Sequence, residues 1–135
     1  MSQNVLSQIS ELLAAKGYAV TESGAGSLRI QDTDSHLSIA AVIEGEIVFF
    51  SMTCATVAAS ALTPAILRKL LDANNGVSTS HFQIFESGDA TTISLNNFCK
   101  LQEMGADDED DILSCISFLL ADVVTARDLL AADLA

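Results

Sequence analysis

Tryptophan is absent from this 135-residue chain, and tyrosine and proline occur once each. A core must therefore be built from Ile, Leu, Val, Ala and Phe. The single proline and seven glycines argue against a disordered or low-complexity chain. Basic residues are scarce too: six Lys and Arg stand against eighteen Asp and Glu, for a formal net charge of −12. Such a charge repels phosphate backbones and anionic lipid surfaces, so neither nucleic acid nor a membrane is an expected partner. It suits a basic protein partner, although plain solubility is the simpler reason for it. Long apolar runs are missing as well. The longest, over 112–121, is interrupted by Ser114 and Ser117 and ends at Asp122, too short to span a bilayer. The opening MSQNVLSQISELL has no positive segment, and Glu11 falls where the apolar part of a secretion signal would continue. No signal peptide and a cytoplasmic location are expected. Cys54, Cys99 and Cys115 are odd in number and widely spaced, without disulfide-framework or metal spacing. They read as buried or half-buried free thiols of a reducing cytosol.

What is present is half hydrophobic and periodic. The length fits one domain over 1–135, large enough to bury about two thirds of its unfolded surface. Val5, Leu6, Ile9, Leu12 and Leu13 recur at helical spacing, with Gly17 as a stop, which predicts a helix over 3–16. YAVTESGAG reads as an extended segment and a turn. SLRIQ, HLSIAAVI and EIVFFSMTC predict three strands, the last two joined at Glu44-Gly45. The third strand is apolar on both faces and is expected mid-sheet. ALTPAILRKLLDANNG predicts a second helix with Thr63 as N-cap, Pro64 at the first position and Asn75-Gly76 as the end. STSHFQIFES and TTISLNNF follow as strands around a GDA turn. The order α-β-β-β-α-β-β-α predicts an α+β domain, a single antiparallel sheet packed against helices.

The run DDEDD at 107–111 stands directly before a long apolar stretch. Carboxylates are favoured at a helix N-terminus, so the run predicts the start of a third helix over about 108–131. That helix is apolar around more than one stripe, with Leu113, Phe118, Val124 and Leu129 outside the main line, and so needs two neighbours or an interface. The same run lacks the alternating ligands, central Gly and terminal Glu of a calcium loop. His36 and His81 have no Cys or His at metal-ligand spacing. The serines and cysteines show no paired base, and SGAGS at 23–27 precedes a strand where a phosphate loop would precede a helix. No catalytic, cofactor or metal residues are expected, and the chain reads as a non-enzyme.

This element order, the acidic chain and the long amphipathic last helix resemble the type III secretion chaperone-like superfamily, which includes the YbjN-type proteins. LTPAILRKLLDANNGVSTSHFQI and DDILSCISFLLADVVTARDLL are similar also to the YjfI-type family of bacterial proteins of unknown function. The resemblance implies a chaperone-like domain that holds a protein partner through apolar patches on an acidic surface, expected as a homodimer. Val5, Ile9, Leu13, Leu28 and Ile30 are the candidate partner contacts, with core packing as their alternative. Phe118 and Leu129 are the candidate dimer interface. The alternative function is a stress-linked regulatory or adaptor protein that binds a folded partner.

Overall fold

The computed structural model describes residues 2–24 and 26–134. Side-chain alternation organises it. Along Ile47–Ala58 the even-numbered residues Val48, Phe50 and Met52 are buried, and along Ala90–Lys100 the odd-numbered Ile93, Leu95, Asn97 and Cys99 are. One face of the sheet therefore points into a core and the other does not. The elements are α1 (Ser2–Ala15), β1 (Ala19–Glu22), β2 (Ser27–Gln31), β3 (Ser38–Glu44), β4 (Ile47–Ala58), a 3-10 turn (Ala59–Ala61), α2 (Pro64–Leu71), β5 (His81–Ser87), β6 (Ala90–Lys100) and α3 (Ala106–Leu130). The six strands form one sheet in the order β1-β2-β3-β4-β6-β5, with every pairing antiparallel.

The α+β class and the single antiparallel sheet are as the sequence predicts, with one strand more. The segment read as extended is β1, paired from Ala19↔Gln31 to Glu22↔Leu28. It is short and mostly exposed, so its hydrophobic pattern was too weak to mark it. The third predicted strand also runs further, to Ala58. The pairing steps from Thr53↔Ser94 to Ala55↔Ile93, leaving Cys54 as the extra residue of a bulge. A bulge bends a strand and lets it continue past the point where strict alternation fails.

α1 and α3 form where the sequence places them, whereas α2 ends at Leu71, ahead of the expected Asn75-Gly76 stop, because Asp72 already takes an extended conformation. Thr63 Oγ1 accepts the Ile66 N–H at 3.3 Å at the start of α2. Asn75 closes it: its Nδ2 donates to the Lys69 and Leu70 carbonyls, each at 3.0 Å, while its Oδ1 accepts the Val77 N–H at 2.9 Å. Gly76 adopts φ 88°, where a side chain is disfavoured. Ile9 and Leu13 of α1, and Ile112, Ile116, Leu119 and Val123 of α3, are fully buried against the sheet. α3 lies on β4 and β6 and also touches α1. Its apolar surface thus gains two neighbours, with Leu113 and Leu120 packed against the core, but Phe118 and Val124 stay exposed.

Two carboxylates of α3 are structural. Asp108 is buried, and its Oδ2 accepts the backbone N–H groups of Gln102 at 2.6 Å and Met104 at 2.8 Å. It belongs to the acidic run but does more than match the helix dipole. Asp122, also buried, accepts the hydroxyls of Thr79 at 2.7 Å and Ser80 at 2.6 Å and so ties α3 to the segment leading into β5.

Candidate functional site

The face of the sheet without helices is built from alternate residues of four strands. Register places Val42 beside Phe49 and Phe49 beside Phe98. In the adjoining row Ser51 stands beside Asn96, and Asn96 beside His81. The Phe49 and Phe98 rings lie 6.0 Å apart, tilted by 43°, a favourable aromatic contact worth about 0.5–1.5 kcal/mol beyond burial. They nevertheless stay wet: Phe98 is 58% exposed and Phe49 40%. Phe85 of β5 is also exposed. These rings and the residues between them line a shallow concavity of about 540 Å³.

Its chemistry is that of a binding surface. Aromatic and aliphatic side chains frame a polar strip of Ser51, Gln83 and Asn96, whose hydroxyl and amide groups donate and accept hydrogen bonds. Glu44 stands at one end, and Glu46 in the turn that follows lies 3.9 Å from Lys100 Nζ. His81 lies in the concavity, but none of the three cysteines does. Among the described residues no group of three or more His, Cys, Asp or Glu side chains could hold a metal ion.

The residues expected to contact a partner lie elsewhere. Ile9, Leu13, Leu28 and Ile30 are fully buried between α1 and the sheet, and Val5 is half-buried against the same core. They are core residues, because the amphipathic stripe of α1 and the inward side of β2 face each other. Of the candidate interface pair, Phe118 is 42% exposed and Leu129 is half-buried. About three helical turns separate them, so they share one flank of α3. Phe49, Phe98, Val42 and Phe85, which make the open face, were missed. The only signal for them was the pair Phe49-Phe50: consecutive large apolar residues on a strand must point to opposite faces.

One antiparallel sheet with helices on a single face is a two-layer α+β fold. No protein-family model matches the chain, and no curated protein does. Among solved structures it is similar to YbjN from E. coli, described there as a candidate transcription regulator, with a TM-score of 0.66 at 13% sequence identity. The likeness covers 91% of this chain and 90% of that one. It establishes a shared fold. In addition, no helix among the described residues is long and apolar enough to cross a membrane.

Proposed function

We propose that this protein is a non-enzymatic, chaperone-like binding protein that acts in the cytoplasm as a homodimer and holds an apolar segment of a protein partner on its open sheet face. The observation that carries this reading is the exposed Phe49–Phe98 pair, flanked by Val42, with Phe85 across the polar strip. Contiguous exposed apolar surface is unfavourable in water and marks interaction sites. Aromatic residues contribute large contact area at little conformational cost. The polar strip alongside suits the backbone of an extended segment, and the net charge of −12 keeps the loaded complex soluble and discourages nucleic acid. The YbjN-like fold is compatible with this role. It is equally compatible with a stress-linked regulator or adaptor that docks a folded protein on the same face.

Replacing Phe49 and Phe98 together with serine tests the reading. The wild-type chain is expected to suppress aggregation of reduced insulin B chain at near-stoichiometric ratios. The double variant should need about tenfold more protein for the same effect, as for the loss of one to two kcal/mol of contact energy. Its thermal midpoint should fall by only a few degrees, because the ring contact is lost while the core stays intact. Undiminished suppression contradicts the site. If only folded proteins are bound, and bound through these two rings, the adaptor reading replaces the chaperone-like one.

For self-association, the structure offers a second surface beside the Phe118–Leu129 flank. β5 is the outer strand of the sheet, and the apolar groove between it and α2 is lined by Leu67, Leu70, Leu71, Phe82 and Ile84. Leu71 is 84% exposed. An outer strand presents unpaired backbone groups that a second strand can meet. The charges over 63–87 are Arg68, Lys69, Asp72 and Glu86, which cancel. On a chain this acidic, two copies approach most easily at such a neutral edge.

A further inference from the structure

Two of the three cysteines meet in the core. Cys99 lies near the end of β6 and Cys115 on the buried stripe of α3, and their two thiols lie within hydrogen-bonding reach of each other. The backbone around them is held in place: Asn97, two residues before Cys99 and on the same side of β6, donates from Nδ2 to the Cys115 carbonyl at 2.9 Å. Both thiols are free, and they keep 9% and 8% of their surface accessible. Their environments differ. The hydrogen bond to Cys115, burial, and the negative charges of Cys115, Asp111 and Asp108 all push the Cys99 thiol up. The same hydrogen bond draws the Cys115 thiol down, against burial and Asp111. Cys115 is therefore the better nucleophile of the two, since the thiolate is the reacting form. Cys54, in the bulge of β4, has its thiol pushed up to about 11 by burial.

We propose that Cys99 and Cys115 form a peroxide-sensitive dithiol that closes into an intramolecular disulfide clamping β6 to α3. In the first step the Cys115 thiolate attacks one peroxide oxygen. The O–O bond breaks, Cys115 becomes a sulfenic acid, and the departing hydroxide takes up a proton to leave as water. In the second step Cys99 sulfur attacks the Cys115 sulfur. The S–O bond breaks, and the hydroxide released takes the Cys99 proton as a second water. Two thiols are oxidised to one disulfide, and one hydrogen peroxide is reduced to two waters. The clamp acts on the strand that carries Asn96 and Phe98, so oxidation stiffens the strand at the centre of the open face.

The test is a thiol count under denaturing conditions after exposure of the whole protein to equimolar hydrogen peroxide. The count should fall from three to one, with a Cys99–Cys115 cross-linked peptide found by mass spectrometry and the protein still monomeric in non-reducing electrophoresis. Cys54→Ser should lose two thiols just as the wild type does. Cys99→Ser should leave Cys115 as a sulfenic acid that reacts with dimedone, and Cys115→Ser should form no bridge. Closing a loop of about 15 residues should raise the thermal midpoint by roughly 10 °C, reversibly with dithiothreitol. Three free thiols after peroxide, a bridge that uses Cys54, or cross-links between chains would each overturn the proposal. Circular dichroism on each variant separates loss of the bridge from loss of the fold.

Discussion

Asp108→Ala is expected to lower the free energy of unfolding by about 3–4 kcal/mol, far more than any other change in the acidic run. Its buried carboxylate receives two backbone N–H groups, at 2.6 and 2.8 Å, and hydrogen bonds to a charged group contribute about 1.5–3 kcal/mol each before the loss is partly offset by water. The turn it secures is strained. Glu103 and Met104 both lie in the left-handed region, at φ 58° and 56°, a conformation that costs a non-glycine residue about 1–2 kcal/mol. Without the carboxylate the turn keeps only the Gly105 N–H to Gln102 carbonyl bond and the packing of Met104, and the start of α3 loosens. Asp108→Asn keeps an acceptor oxygen and should lose about half as much. Asp107→Asn and Asp110→Asn, on exposed residues, should each cost about 0.5 kcal/mol or less, since only a screened dipole interaction is removed. Urea unfolding of the four variants decides it. Equal losses at positions 107 and 108 would show that Asp108 acts only through the dipole.

The second large effect concerns assembly. The double change Leu71→Asp and Ile84→Asp should convert a dimer into a monomer at high micromolar concentration, weakening association at least about 100-fold. Two carboxylates in the groove beside β5 add repulsion across a two-fold axis and put charge where an apolar contact formed. Both residues are exposed, so the monomer should stay folded. The change Phe118→Glu with Leu129→Glu tests the flank of α3 in the same way. If the flank variant dissociates and the edge variant does not, the interface lies on α3. If light scattering finds the unmodified chain monomeric at that concentration, the dimer itself is refuted.

Several elements were legible in the sequence because local chemistry fixes them. The Thr63-Pro64 start of α2 needs only its own backbone geometry, and Asn75 was legible as a stop signal whose side chain caps the last carbonyls, although the helix itself ends earlier, at Leu71. The turns at Glu44-Gly45 and Gly88-Asp89 place a glycine at φ 61° and 63°, respectively. Which side of the sheet the helices cover was less legible. Alternation in SLRIQ shows that Leu28 and Ile30 share a face, but an inward pair and an outward binding pair have the same pattern. The contrast between Phe49, wet, and Phe50, buried, rests on tertiary placement of α1 and α3. Asp108 was equally hidden. Among five consecutive acids nothing local distinguishes the one that turns inward to meet the Gln102 and Met104 amides. The Asp122 link to Thr79 and Ser80 and the Cys99–Cys115 contact join residues far apart in sequence, and no spacing rule anticipates them.

The open face can be examined directly, because the six phenylalanines sample every surface in question. Phe49, Phe85 and Phe98 lie on the open face, Phe118 on α3, Phe50 in the core and Phe82 beside α2. Fluorine NMR of the protein labelled with 4-fluorophenylalanine, titrated with reduced insulin B chain, reports on all six at once. The account predicts that the Phe49 and Phe98 resonances shift or broaden first, with Phe85 following, while Phe50 and Phe118 stay unchanged. A titration that moves Phe118 and leaves Phe49 and Phe98 in place would contradict it.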